Sequence, residues 1–159
     1  MKVLIVSDTH GMDENLEKVV KKESPIDALI HCGDGEGHEG YISAMAGCDI
    51  YMVRGNNDFF SDLSRELEFE LDGNKIFLTH GHNYGVSMDT EYITDEGRAR
   101  KADIVMYGHT HKPSIIQEDD ITVLNPGSLS YPRQEGRRPS YIVMTTAGHK
   151  KCKFEIKFC

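Results

Sequence analysis

Buried strands give the plainest signal along this chain. Lys2–Ser7 (KVLIVS) is an unbroken β-branched and aliphatic run, the mark of a strand covered on both faces. After a polar loop, Asp13–Lys22 sets Leu16, Val19 and Val20 on one side, which predicts an amphipathic helix. Asp27–Cys32 (DALIHC) reads as a second buried strand, Tyr41–Ala46 as a short helix, and Asp49–Val53 (DIYMV) as a third strand. Strands alternating with helices predict a parallel sheet with crossovers. The pattern then changes. Arg65–Leu71 and Lys75–Thr79 flank Asp72-Gly73, a two-residue hairpin signal. His80–Met88 reads as a loop, Asp89–Lys101 as a helix that Gly97 weakens, and Asp103–Tyr107 (DIVMY) as another buried strand. Beyond Pro113 short antiparallel strands are expected at Ser114–Glu118, Ile121–Asn125, Ser140–Thr146 and Cys152–Phe158. No repeat or linker divides the chain, so one mixed α/β domain over residues 1–159 is expected, with two sheets stacked between helices.

The chemistry sits in the polar residues just past each strand. The first strand leads into Asp8-Thr9-His10, the second into Gly33-Asp34, and the third into Gly55-Asn56-Asn57-Asp58. The hairpin leads into His80-Gly81-His82, and the later buried strand into Gly108-His109-Thr110-His111. Ligands of open α/β sheets bind at the carboxyl ends of strands, so these clusters should meet at one edge. Asp8, His10, Asp34, Asn56, His80, His109 and His111 are all metal-ligand types. Each fragment alone is an ordinary turn or solvated pair; the ordered set is what is specific. A His, Asp and Asn set suits divalent Mn, Fe, Zn or Ni, and the lack of Cys in it disfavours structural zinc. Seven ligands exceed the needs of one ion and suffice for two if a carboxylate is shared. Two ions ~3.5–4 Å apart can clamp a phosphoryl group and acidify a shared water.

These residues resemble the calcineurin-like metallophosphoesterases, whose pattern is D-x-H, G-D, G-N-H-D/E, H and G-H-x-H. The small bacterial and archaeal single-domain phosphodiesterases are most similar, and Asn125-Pro126-Gly127-Ser128 also fits them. The resemblance runs from Lys2 to about Tyr141. It implies a four-layer α/β/β/α sandwich. It implies two divalent ions, manganese first, with Asp8, His10, Asp34 and His111 on one and Asp34, Asn56, His80 and His109 on the other. A metal-bridging hydroxide would attack phosphorus, and the net positive centre would attract the phosphate. The third cluster departs from the family at Asn57, where a histidine is usual. Neutral Asn is no general acid, so activated diesters should turn over better than alkyl monoesters. His82 is the candidate substitute donor, and Asp58 is expected to orient the Asn57 loop.

Composition narrows the partners. With a net charge of -8 and no long basic run, an extended nucleic-acid surface or a nuclease is disfavoured. No apolar run is long enough to span a bilayer, and Cys32, Cys48, Cys152 and Cys159 form no paired motif. A cytoplasmic enzyme with free thiols, a small phosphate-ester substrate and a homodimeric or homotetrameric state is expected. The competing reading is a scaffold similar to the retromer vacuolar sorting subunit, although such scaffolds tend to lose the ligands kept here. Elsewhere, His31 reads as a satisfied core residue, His38 as a loop residue near Asp34, and His149 as solvent-facing. Arg54 and Arg133 could bind a phosphate oxygen but read first as ordinary salt-bridge partners.

Overall fold

The computed structural model describes all 159 residues. In chain order the elements are β1 (Lys2–Val6), α1 (Glu14–Glu23), β2 (Ala28–His31), α2 (Glu39–Ala46), β3 (Asp49–Met52), β4 (Glu66–Leu71) and β5 (Asn74–Thr79). They continue with α3 (Glu91–Ala99), β6 (Ile104–Met106), β7 (Pro113–Gln117), β8 (Thr122–Pro126), β9 (Ser140–Thr146) and β10 (Cys152–Phe158). Every expected helix and strand is present, its ends moved by no more than two residues. The His80–Met88 loop contains one 3₁₀ turn, His82–Tyr84. No helix is long and apolar enough to cross a membrane.

Two five-stranded sheets form, ordered β10-β9-β1-β2-β3 and β4-β5-β6-β8-β7. In the first, β1, β2 and β3 run parallel, as expected, and β9 is antiparallel to β1. In the second, β5, β6 and β8 run parallel. This corrects one expectation: β8 is antiparallel to β7 but parallel to β6. A strand's alternation shows which faces it buries, not the direction of its neighbour.

Burial explains the unbroken apolar strands. Val3 and Ile5 of β1 join Ile30, Ile76, Leu78, Met106 and Leu124 in a core between the sheets. Leu4 and Val6 point the other way, onto Leu16 and Val19 of α1 and Ile42 of α2. On the far side, Phe77, Val105 and Val123 pack against Ile93 of α3. The period of two thus produces three cores and four layers, α/β/β/α. Gly97 costs α3 helix propensity, yet a Cβ there would stand 2.4 Å from Val105 Cγ2, so only glycine lets α3 lie this close to β6. The hairpin closes at Asp72 (φ 50°) and Gly73 (φ 78°), both left-handed as a two-residue turn of this hand requires.

Glu23 ends α1 in a buried cationic pocket. It accepts hydrogen bonds from Tyr141 Oη (2.9 Å) and Lys157 Nζ (3.1 Å) and pairs with Lys2 Nζ (2.9 Å). Burial alone would raise its pKa, but the bonds from Lys2, Tyr141 and Lys157 outweigh it and pull the carboxyl from 4.5 down to about 2. A depressed folded value means the stabilisation is complete above the unfolded pKa and fades as pH falls toward about 2. Glu23→Gln is expected to cost on the order of 2 kcal/mol at neutral pH. The gap to the parent should close on acidification, read by urea unfolding across that window. A pH-independent gap would show that the charge is not what matters.

Candidate metal centre

The strands β1, β2, β3, β5 and β6 all end at one edge of the stacked sheets, and each delivers one polar cluster there. The delivery needs unusual backbone. Asp8 (φ 54°), His10 (φ 48°), Asp34 (φ 59°), His109 (φ 68°) and His111 (φ 58°) are all left-handed without being glycine. Such strain persists only where the surroundings over-determine it, and here five of the seven candidate ligands carry it.

Three histidines are aimed by their far nitrogens. His80 Nδ1 bonds the Cys32 carbonyl (2.7 Å), His111 Nδ1 the Tyr131 carbonyl (2.7 Å), and His10 Nδ1 the Glu36 carboxylate (2.7 Å). These oxygens only accept, so each Nδ1 carries a proton and each ring turns its Nε2 inward. His10 Nε2 and His111 Nε2 then lie 3.4 Å apart. Asp8 Oδ1 sits 3.1 Å from His111 Nε2, 3.8 Å from His10 Nε2 and 3.9 Å from His80 Nε2. Asp34 Oδ2 sits 3.4 Å from His80 Nε2 and 3.9 Å from His10 Nε2. Asn56 Oδ1 lies between His80 Nε2 (3.1 Å) and His109 Nδ1 (2.9 Å). All seven residues are therefore brought together.

The electrostatics fit a cation. Asp8 Oδ2 accepts from Ser7 Oγ (2.6 Å) and the His109 amide (3.1 Å), but Oδ1 is buried with no hydrogen-bond partner. A buried carboxylate oxygen without a hydrogen-bond partner is costly unless positive charge joins it. Burial favours neutral Asp8, yet His111 and His80 outweigh it and hold the carboxyl below its usual range; Asp34 is held low in the same way by His80 and Asn57. Burial opposes protonation of His80, but Asp34, Asp8 and the Cys32 carbonyl raise its pKa. Two donor groups emerge, Asp8–His10–His111 and Asp8–Asp34–His80.

The residues expected to do chemistry take different places. Asn57 faces the centre: its side-chain amide donates to Asp34 Oδ2 (2.7 Å) and its backbone N–H to Asp34 Oδ1 (2.9 Å). Asp58 does not. Its carboxylate accepts three backbone N–H bonds, from Asp34 (2.8 Å), Gly55 (2.7 Å) and Glu36 (2.6 Å), tying the loops after β2 and β3 together. His82 is half-buried, its ring centroid 5.5 Å from His80 and 6.1 Å from His109. Its Nδ1 is buried without a partner, and burial with its two histidine neighbours pushes its pKa down.

Residues outside the clusters hold the loops. Asn125 donates to the Gly108 carbonyl (2.7 Å) and Thr110 Oγ1 (3.0 Å), and Ser128 Oγ donates to the Asp8 carbonyl (2.8 Å). The Asn125–Ser128 segment therefore clamps the first and last clusters together, a role its turn-like sequence does not announce. Glu36 and the Tyr131 carbonyl hold candidate ligand histidines, and sequence reasoning misses both, although a carboxylate two residues after Asp34 is a readable cue for Glu36. His31 is a satisfied core residue, bonded to Thr9 Oγ1 (3.1 Å) and the Gly33 amide (3.2 Å). His38 bonds Asp13 (2.5 Å), and exposed His149 lies 3.2 Å from Asp103. Arg54 and Arg133 form no ion pair; Arg54 instead bonds the Ser61 carbonyl (3.4 Å).

Known proteins resemble this chain over most of its length. Residues 1–149 match the calcineurin-like phosphoesterase superfamily domain. A probable metallophosphoesterase of Bacillus subtilis, YsnB, is 34% identical over 146 residues, covering 91% of this chain and 84% of that protein. A phosphodiesterase of Methanocaldococcus jannaschii is 31% identical over 150 residues, covering 80% and 83%. The structure of a Vps29 single mutant from Entamoeba histolytica shares the fold, with a TM-score of 0.80 at 22% identity over 100% of this chain and 99% of that one. The chain belongs to the calcineurin-like phosphoesterase superfamily, a family of metal-dependent phosphate-ester hydrolases.

Proposed function

We propose that this protein is a dinuclear metal-dependent phosphodiesterase, most active on esters with a good leaving group. The observation that carries the reading is the buried, unpartnered Asp8 Oδ1 ringed by the inward Nε2 atoms of His10, His80 and His111. One ion would be held by Asp8, His10 and His111, the other by Asp34, Asn56, His80 and His109. Both carboxylates reach both groups, so Asp8 joins Asp34 as a candidate bridge. Two bound divalent ions, manganese being the first choice for this donor set, supply Lewis-acid stabilisation of the phosphoryl oxygens and a water of lowered pKa. The chain's own residues do the rest. Asp58 positions Asp34 and Asn57 through the three amides it binds. Asn57 can offer a hydrogen bond to an ester oxygen but no proton. His82, neutral at neutral pH because its pKa is pushed down, serves the leaving group as a hydrogen-bonding group rather than as a charged acid. A scaffold role like that of Vps29 rests on fold alone, and retention of all seven ligand candidates favours the enzyme.

The direct test is turnover of bis-nitrophenyl phosphate with and without Mn²⁺, beside His109→Ala. Metal-dependent hydrolysis, lost in the variant, is expected; hydrolysis indifferent to metal or to the substitution would end the reading. Asn57→His supplies a titratable group where Asn57 now touches Asp34. It is expected to raise kcat on an alkyl phosphomonoester by about tenfold or more, while nitrophenyl diesters, which need no proton, change little. A variant with no gain on the monoester would show that the missing acid is not what limits that reaction.

A further inference from the structure

Two cavities flank the centre, and their walls differ in sign. One, of about 480 Å³, is lined by Asn57, Phe59 and Phe60 and by the carboxylates Glu36 and Glu39. The other, of about 530 Å³, is lined by His10, His111, Tyr131, Pro132, Arg133 and Arg137. Its two arginines are exposed, and neither has a carboxylate within ion-pairing distance. Among the arginines only Arg98, with Asp95, Glu118 and Asp120, and Arg100, with Glu66, Glu68 and Glu96, form ion pairs; of the unpaired ones, Arg133 and Arg137 are the two that line this cavity. Arg133 is also fixed to the centre, since its backbone N–H donates to the His111 carbonyl (3.0 Å). Arg137 is held by a turn whose N–H bonds the Gln134 carbonyl (3.1 Å). On a chain of net charge -8, unpaired guanidinium groups opening onto ligand histidines are a local reversal of the surface field. Guanidinium forks match phosphate and carboxylate oxygens.

Resting on the phosphodiesterase reading, we propose that the substrate carries a second phosphate on the alcohol arm, beyond the scissile one. Arg133 and Arg137 receive it. The scissile group lies over the ligand histidines, and the arm with the second anion extends past His111 into the arginine cavity. The opposite cavity, walled by Glu36 and Glu39, repels a second anion and leaves the aromatic faces of Phe59 and Phe60 for the uncharged arm. The site thereby orients an unsymmetrical diester by charge.

The test uses a matched pair: nitrophenyl thymidylate, and the same ester with a second phosphate on the free sugar hydroxyl. Scissile bond and leaving group are identical, so the ratio of their kcat/KM values is independent of the fraction of active protein. Mn²⁺-loaded protein is expected to favour the doubly charged ester by about tenfold, mainly through KM. In Arg133→Gln/Arg137→Gln the ratio should fall to near one. A parent ratio near one, or a preference that survives the double substitution, overturns the proposal. If neither ester turns over, the phosphodiesterase reading fails by itself. Calorimetry with thymidine bisphosphate against thymidine monophosphate then still reads the subsite: tighter binding of the bisphosphate that vanishes in the double variant supports it, and equal binding overturns it.

Discussion

Asp8→Asn is expected to abolish metal-dependent hydrolysis while leaving the stability of the metal-free protein nearly unchanged. The two effects come from the two oxygens. Oδ2 is satisfied by Ser7 Oγ and the His109 amide, contacts that the Asn carbonyl oxygen retains. Oδ1 has no donor and lies 3.1 Å from His111 Nε2, whose partner nitrogen is committed to the Tyr131 carbonyl. An amide NH₂ in place of Oδ1 donates to that nitrogen, while the charge that His111 and His80 favour is lost. The two effects offset, so parent and variant should differ by less than about 1 kcal/mol in chelator. With saturating Mn²⁺ the parent is the more stable, because it gains binding free energy that the variant lacks. Loss of a ligand that reaches both donor groups should lower kcat/KM by about a thousandfold or more. Urea unfolding with and without chelator, together with turnover of bis-nitrophenyl phosphate, reads all three effects. A variant several kcal/mol less stable than the parent in chelator would show that Oδ1 is not orphaned, and retained turnover would remove Asp8 from the centre.

That oxygen also marks how far the chain alone can be read. Lys2–Ser7 announces a doubly buried strand because both of its faces meet apolar layers, and the acid just past it is then placed at a sheet edge. The same logic places Asp34, His80 and His109. Beyond the strand ends the signal fades for physical reasons. Asp8 reaching both donor groups depends on which oxygen Ser7 and the His109 amide occupy, and the partners span about a hundred residues of chain. His111 is aimed by the backbone carbonyl of Tyr131, and a carbonyl has no sequence signature. Asn125 and Ser128 look like a turn because their work is done on the carbonyls of Gly108 and Asp8. The direction of β8 escapes the sequence because alternation is blind to it. Arg133 reads as a salt-bridge partner, yet the fold gives it none. Residues that contribute side chains to the centre are thus visible, Glu36 excepted, and those that act through backbone are not.

Backbone also carries the second large effect, at a position with no side chain at all. A Cβ on Gly55 would stand 2.0 Å from Asp34 Oδ1 and 2.7 Å from the Asp34 amide nitrogen. Neither atom is free to retreat. The amide donates to Asp58 Oδ2, Oδ1 accepts from the Asn57 amide, and Gly55's own N–H bonds the same Asp58 carboxylate. Gly55→Ala must therefore swing the Asp34 carboxylate out of the position where it lies 3.4 Å from His80 Nε2. Neither Gly55 nor Asp34 belongs to the three cores, so the variant should fold, with an overpacking cost of about 1–3 kcal/mol. Metal affinity and kcat/KM should each fall by about a hundredfold, the scale seen when the support of a ligand rather than the ligand itself is lost. Gly40→Ala is the control. It lies in α2 with open space around its Cβ position, and it should stabilise the protein by about 0.5–1 kcal/mol without altering turnover. Metal titration of the two variants separates the outcomes. Parental affinity in Gly55→Ala would mean that Asp34 has slack this packing denies it. Equal losses in both variants would mean that any added methyl, wherever it stands, disturbs the centre.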